Sequence, residues 1–381
     1  MTTSKRPALP AGRPAAPALV TRPLASRISR RRVLASGAAM AAAGLAAPGI
    51  LRAQDRVLKI GSYGGYFENS FKEHVYPAFT EATGIAVESM TQPNSADWLL
   101  TMQNAASAGT VPADISLYGR DTLLKAVRIG GLVAPIDLAK VPSAGNLDPY
   151  FVYESEGTAF GVGAMSWFVS MVVNPNVVEV PTSWTAFWET ETYEASLGIS
   201  KEYNSNFMDV VAATFFDGPE ILSTTDGIAT VIEKTAELKA NVALWWDAES
   251  QMEQAFKNED VIGGMYYHDV AGLMAADGFP IVSVFPEEGN PQSYGSWCLS
   301  EGSENADLAH AFLTFSSDPA TQAIMSRKIG TAPLVSKEAA GLTDEEFDAV
   351  SGTPSIRPNF EAYLDHETYM KDAWDTMLAA S

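Results

Sequence analysis

Val57-Leu58-Lys59-Ile60, then Ser62-Tyr63-Gly64-Gly65-Tyr66, then Phe67, Phe71, Val75 and Phe79 at every fourth position: this stretch decides how the fold is read. A short apolar run bounded by a glycine turn is a strand, and a four-residue apolar spacing draws one stripe along a helix, which Gly84 is placed to end. Pro77 lies inside that helix, where its missing N–H predicts a kink or an early stop. Outward from here the same alternation continues. Ile85-Ala86-Val87 reads as a strand, 97–108 as a helix, Asp114-Ile115-Ser116-Leu117 as a strand and 121–129 as a helix closed by Gly130-Gly131. Strand and helix in turn argue for βαβ units, a mostly parallel sheet, and ligand contacts from loops at the carboxyl ends of strands.

Further along, 168–174 is a near-continuous apolar run suited to a buried strand, punctuated by Pro175 and Pro181. Ser183 caps a helix that begins at Trp184, and 227–238 carries a helical apolar stripe. Val261 to Tyr267 reads as a strand entering a helix at 269–276, 281–285 as the next strand, and 307–316 and 319–326 as helices.

Before Arg56 the text changes character. Arg30-Arg31-Arg32 precedes an uncharged, small-residue stretch, Ala35 to Leu51, which ends at Leu51-Arg52-Ala53 and resembles a twin-arginine export signal with cleavage after Ala53. The apolar run is short for a membrane span of ~20 residues. Nine of the 25 basic residues lie in 1–53, which holds no acid, so the remainder carries 16 Lys and Arg against 46 Asp and Glu, a formal net of −30. Such a field repels nucleic acid and anionic lipid. The 328 residues left of 381 exceed what one core usually supports, so two lobes are expected, and a single cysteine, Cys298, cannot close an intrachain disulfide.

Taken in order, several short patches resemble the periplasmic solute-binding proteins of ABC importers, in the branch of spermidine- and putrescine-binding proteins. They are Ser62-Tyr63-Gly64-Gly65-Tyr66, Phe79-Thr80-Glu81-Ala82-Thr83-Gly84-Ile85-Ala86-Val87, Ala113-Asp114-Ile115, Thr182-Ser183-Trp184, Gly264-Met265-Tyr266-Tyr267, Phe285-Pro286-Glu287-Glu288-Gly289 and Ile329-Gly330-Thr331-Ala332-Pro333. The resemblance implies an α/β chain of two lobes in the type II-like arrangement, each a mostly parallel sheet flanked by helices and joined by hinge strands. A ligand is trapped when the lobes close. On this reading 1–53 is the signal, 54–167 the first part of lobe 1, 168–292 lobe 2 and 293–335 the return to lobe 1, with 336–381 a helical segment of unassigned lobe. The product is a periplasmic monomer that hands a small molecule to ABC permease subunits in the inner membrane, performs no chemistry and needs no cofactor or metal.

The resemblance places Tyr63 and Tyr66 at the first aromatic positions of the site, Tyr267 where a tryptophan is common, and Glu202 near a ligand carboxylate of the second lobe. Trp246, with Asp247 and Glu249, precedes the strand of Tyr267, and Asp269 and Tyr294 complete the expected set. Aromatic faces attract an ammonium by ~0.5–2 kcal/mol and carboxylates add charge-assisted hydrogen bonds. Against a polyamine stand Gly65 and Gly295, at positions where polyamine binders tend to carry acids. Arg120, in Tyr118-Gly119-Arg120-Asp121, brings a guanidinium to a cleft-lining loop, and its fork matches a carboxylate, sulfonate or phosphonate. The expected ligand is a small organic amine, polyamine-like or zwitterionic as in amino acids and opine-like conjugates. Two alternatives stay open: ferric-ion capture by Tyr266-Tyr267-His268-Asp269, and a secreted enzyme, for which His268 beside Asp269 is the one suggestive pair.

Overall fold

The computed structural model describes residues 56–93 and 95–380, with the side chains of Tyr66 and Ser95 excepted. The twin-arginine segment and the expected cut after Ala53 lie outside the described residues.

The opening stretch folds as its spacing dictates. Strand β1 (Val57–Tyr63) leads into a helix at Tyr66–Ser70, a π-helical turn at Phe71–Val75 and a second helix at Tyr76–Thr83. Pro77 sits in the first turn of that second helix, where no N–H is required, and the wide turn before it absorbs the mismatch. Phe71, Val75 and Phe79 are buried, and Gly84 closes the helix in the left-handed conformation with its N–H on the Thr80 carbonyl.

Eleven strands are found among the described residues. The others are β2 (Ala86–Gln92), β3 (Ile115–Gly119), β4 (Val152–Ser155), β5 (Thr158–Val173), β6 (Leu197–Ser200), β7 (Val242–Trp246), β8 (Gly263–Tyr267), β9 (Val282–Val284), β10 (Asn290–Leu299) and β11 (Ser355–Ile356). Their main path runs β2-β1-β3-β10-β5-β8-β6-β7. In lobe 1, β2, β1 and β3 are parallel and β10 enters antiparallel beside β3. In lobe 2, β6 is parallel to β7 and β8, β5 runs the other way, and β9, antiparallel to β5, runs with β8.

Strand β5 belongs to both sheets. Its first half pairs with β4 and β10 and its second half with β8 and β9. The apolar run read from the sequence is only the second half, because Gly161 and Gly163 punctuate the first. Those glycines are there for space: a Cβ would stand 2.5 Å from the Leu123 side chain at one and 2.7 Å from Leu334 at the other.

Each lobe has its own aromatic core. In lobe 1, Phe79 and Trp297 both meet the ring of Phe312 at 5.2 Å, edge to face. In lobe 2, Trp184, Phe187, Phe207 and Trp374 are buried together. Two motifs distant in sequence lock this lobe: the Ser183 hydroxyl and Trp184 N–H donate to Glu288, and the Trp184 indole donates to the Gly289 carbonyl at 2.8 Å. Asp114, another of the recurring patches, is likewise structural, accepting from the Lys59 N–H, Ser303 and Asn305.

The C-terminal segment divides between the lobes. Ala340 and Leu342 join the lobe 1 core, whereas Tyr363, Met370, Trp374 and Met377 join that of lobe 2. Across the outside, Arg128 of the helix Arg120–Ile129 pairs with Glu361 and Asp365, and Lys125 with Glu367.

Candidate functional site

The floor of the interlobe cleft is β5 itself. Side chains two apart on a strand share a face, and Met165, Trp167 and Val169 line a continuous set of cavities. The largest holds about 900 Å³, and two smaller ones about 370 and 210 Å³. Tyr267, at the end of β8 opposite Val169, borders all three.

Lobe 1 contributes a cation. Strand β3 ends at Gly119, and Arg120 opens the following helix, so its side chain leaves the sheet at the carboxyl end of a strand. The guanidinium lies 3.9 Å from the centre of the Tyr153 ring and 5.8 Å from that of Tyr294. It makes no ion pair with Asp121 or any other acid among the described residues, and its buried Nη1 has no hydrogen-bond partner within the protein. The hydroxyls of Tyr294 and Tyr150, whose rings meet at 5.1 Å, are also buried without a protein partner. Burial pushes the Tyr294 phenol up to about 12, so it remains a neutral donor. Tyr63 borders the largest cavity from the same lobe.

Lobe 2 contributes carboxylates. Glu202 follows β6, Trp246 ends β7 and Glu249 opens the helix Glu249–Lys257; all three border the 370 Å³ cavity. The Trp246 indole N–H and the Ser205 hydroxyl there are buried without a protein partner. Glu249 also borders the largest cavity, together with Asp269 in the first turn of the helix His268–Ala276. Burial, and then the charge of Asp269, raises Glu249 above the ordinary carboxylate range, and burial does the same to Asp269. Neither has a basic partner among the described residues' ion pairs. Burial first, then these two acids, push the Tyr267 phenol up to about 12. Two acids beside an aromatic face, Asp269 half-buried and Glu249 exposed, with no cation of their own, form a site for an ammonium group.

Seven of the eight residues singled out in the sequence therefore border this connected space: Tyr63, Arg120, Glu202, Trp246, Tyr267, Asp269 and Tyr294. The side chain of the eighth, Tyr66, lies outside the described residues. Trp167 went unnoticed because it sits inside β5, where an aromatic reads as core. Also missed was a buried network behind the 210 Å³ cavity. Asp209, fully buried, accepts from the Tyr363 hydroxyl at 2.7 Å, the Asn359 N–H at 2.9 Å and Asn206, which in turn accepts from Ser293 of β10 at 2.9 Å. No local pattern signals it, because its members come from three distant segments, 206–209, 293 and 359–363.

The run Tyr266-Tyr267-His268-Asp269 does not converge on one point. Tyr266 is buried beneath the strand, its hydroxyl donating to the Glu249 carbonyl at 3.1 Å. Both His268 nitrogens are engaged, with Ser283 at 2.8 Å and the Asp348 carbonyl at 3.0 Å, so the imidazole has no free lone pair to offer a ferric ion or a reacting proton.

A two-lobe α/β body with hinge strands under a cleft, cationic on one wall and acidic on the other, defines a solute receptor. The profile of the bacterial extracellular solute-binding proteins matches residues 75–350, and the chain belongs to that family, whose members work outside the cytoplasm. A curated relative, the gamma-aminobutyric acid-binding protein of Pseudomonas aeruginosa, is 23% identical over 318 residues, covering 82% of this chain and 86% of the relative. The solved Atu4243-GABA receptor superimposes with a TM-score of 0.69 at 18% identity, covering 86% of this chain and 98% of that one. The spermidine/putrescine-binding protein PotD of Streptococcus pneumoniae gives 0.65 at 18% identity, covering 83% and 99%. At such identities these structures show the shared fold. No helix among the described residues is long and apolar enough to cross a membrane.

Proposed function

We propose that the protein is the receptor of an ABC importer and captures a small zwitterion of the ω-amino acid kind. Residues 1–53 direct its export and are removed near Ala53, and the mature monomer works in the periplasm, passing its ligand unchanged to permease subunits. The observation that carries the ligand reading is Arg120, a guanidinium over the ring of Tyr153 and near that of Tyr294, with a buried nitrogen that no protein group satisfies. A carboxylate fills that vacancy with two charge-assisted hydrogen bonds. The ammonium end goes to Glu249 and Asp269 over the ring of Tyr267, on the opposite lobe.

Such a ligand favours closure because it binds the closed state better than the open one: only there does it touch both walls. A dication would bring positive charge to Arg120 and meet no acid at Gly65 or Gly295, the latter buried within β10. The relatives named for gamma-aminobutyric acid support the same choice.

The test is a thermal-shift and calorimetric comparison of gamma-aminobutyrate, putrescine and spermidine on the wild type and Arg120→Ala. A ligand at 100 times its Kd adds ~2.7 kcal/mol to stability. Gamma-aminobutyrate is expected to bind and to lose its affinity in the variant. Tight putrescine binding that survives Arg120→Ala would overturn the zwitterion reading.

A further inference from the structure

The charged groups that hold a zwitterion stand on facing walls, Arg120 outside the largest cavity and Glu249 and Asp269 on a small part of its lining. Its volume of about 900 Å³ is walled chiefly by Phe67, Met165, Trp167, Ile281, Val282 and Val350. Of its polar members, His268 and Ser283 are bonded to each other, and its charged groups are Glu249, Asp269 and the exposed Asp348. A short ω-amino acid would leave most of this space empty, whereas cavities of roughly 300–1,000 Å³ enclose drug-sized molecules lined by apolar groups. Lobe closure cannot remove the apolar wall, since Met165 and Trp167 stand on β5, the strand that both lobes share. Leu273, on the helix His268–Ala276, also borders the cavity and is 68% exposed. A large apolar side chain is thus left in water at the mouth of an apolar space.

We infer that the guest of this cleft is an amino acid bearing a bulky apolar arm, aromatic or branched aliphatic. The arm fills the large cavity while the charged groups engage Arg120 and the Glu249–Asp269 pair. This rests on the zwitterion reading above and narrows its ligand class.

Gly272 supplies the test. It lies in the same helix and borders the cavity, and a Cβ added there meets nothing within 4 Å, so Gly272→Leu projects into open space without backbone strain. Replacing a mid-helix glycine also favours the helix. Affinities of gamma-aminobutyrate and β-phenyl-γ-aminobutyrate are measured by calorimetry on the wild type and on Gly272→Leu, with the unliganded melting temperature as folding control. The arm should tighten binding roughly tenfold or more in the wild type. Gly272→Leu should erase that gain while leaving gamma-aminobutyrate within about twofold. Equal affinity for the two compounds in the wild type, or an arm gain untouched by Gly272→Leu, overturns the apolar-arm inference and leaves the zwitterion reading standing. Failure of both compounds to bind overturns the zwitterion reading and this inference with it.

Discussion

The two walls of the cleft are built from the same motif, strand ends feeding helix starts, yet they carry opposite charge. Lobe 1 presents one guanidinium, Arg120, 3.9 Å from the Tyr153 ring centre and 5.8 Å from that of Tyr294. Lobe 2 presents Glu202, Glu249 and Asp269 around Trp246 and Tyr267. Charge that is unpaired within each lobe is costly only while it stays unpaired, so a guest carrying both signs relieves both walls at once. The lesson is that selectivity here resides in the contrast between lobes, which neither lobe possesses alone.

The strongest way to break that contrast is Arg120→Ala, which should cost a carboxylate ligand about 2–5 kcal/mol of affinity by leaving a buried charge unmatched. Calorimetry reads it, and affinity unchanged within about twofold would move the anion site elsewhere.

Next in size is a stability effect that separates the cleft acids from the buried one. Complete burial pushes Asp209 up to about 6. Because the folded state then holds a proton more tightly than the unfolded chain, the contribution of Asp209 to stability is greatest at low pH. It falls as pH rises from about 4 to 6, by on the order of 3 kcal/mol. The stability difference between wild type and Asp209→Asn should follow that slope in denaturant titrations. A difference flat across the window would mean that the hydrogen bonds from Tyr363 and Asn359 outweigh burial.

A smaller effect sharpens the acidic wall. Asp269→Asn should weaken ammonium binding by about 1–3 kcal/mol, the worth of a charge-assisted hydrogen bond. Since Glu249 and Asp269 both titrate above the ordinary carboxylate range, wild-type affinity should fall as pH drops toward that range. The variant should show less of this loss. Calorimetry at several pH values checks it, and identical pH profiles would assign the titration to another group.

Smallest of all, Arg128→Ala removes exposed pairs with Glu361 and Asp365 on the outer surface and should cost under about 1 kcal/mol in melting experiments, less at high salt. A larger loss would make this contact a strap between lobes.

Much of the fold was legible because its signals are local. The stripe Phe71-Val75-Phe79, the Pro77 break and the Gly84 stop are read from neighbours within four residues, and they recur as buried positions, a π turn and a left-handed cap. The first half of β5 was not legible, since Gly161 and Gly163 answer to Leu123 and Leu334, contacts that no local pattern encodes. The iron alternative looked plausible for the same reason: four ligand-type residues in a row say nothing of the Ser283 hydroxyl and Asp348 carbonyl that occupy His268.

By itself, the order of residues determined the alternation of strands and helices and which side chains stand at strand ends, because each follows from periodicity and turn chemistry along the chain, while its length called for two lobes. Tertiary structure alone decided that Arg120 meets Tyr153 and Tyr294 rather than Asp121, that Trp167 faces the cleft, and that the last forty-odd residues divide between the lobes. Those outcomes depend on which distant segments pack together, and a side chain's charge state, partner and direction are settled only when they do.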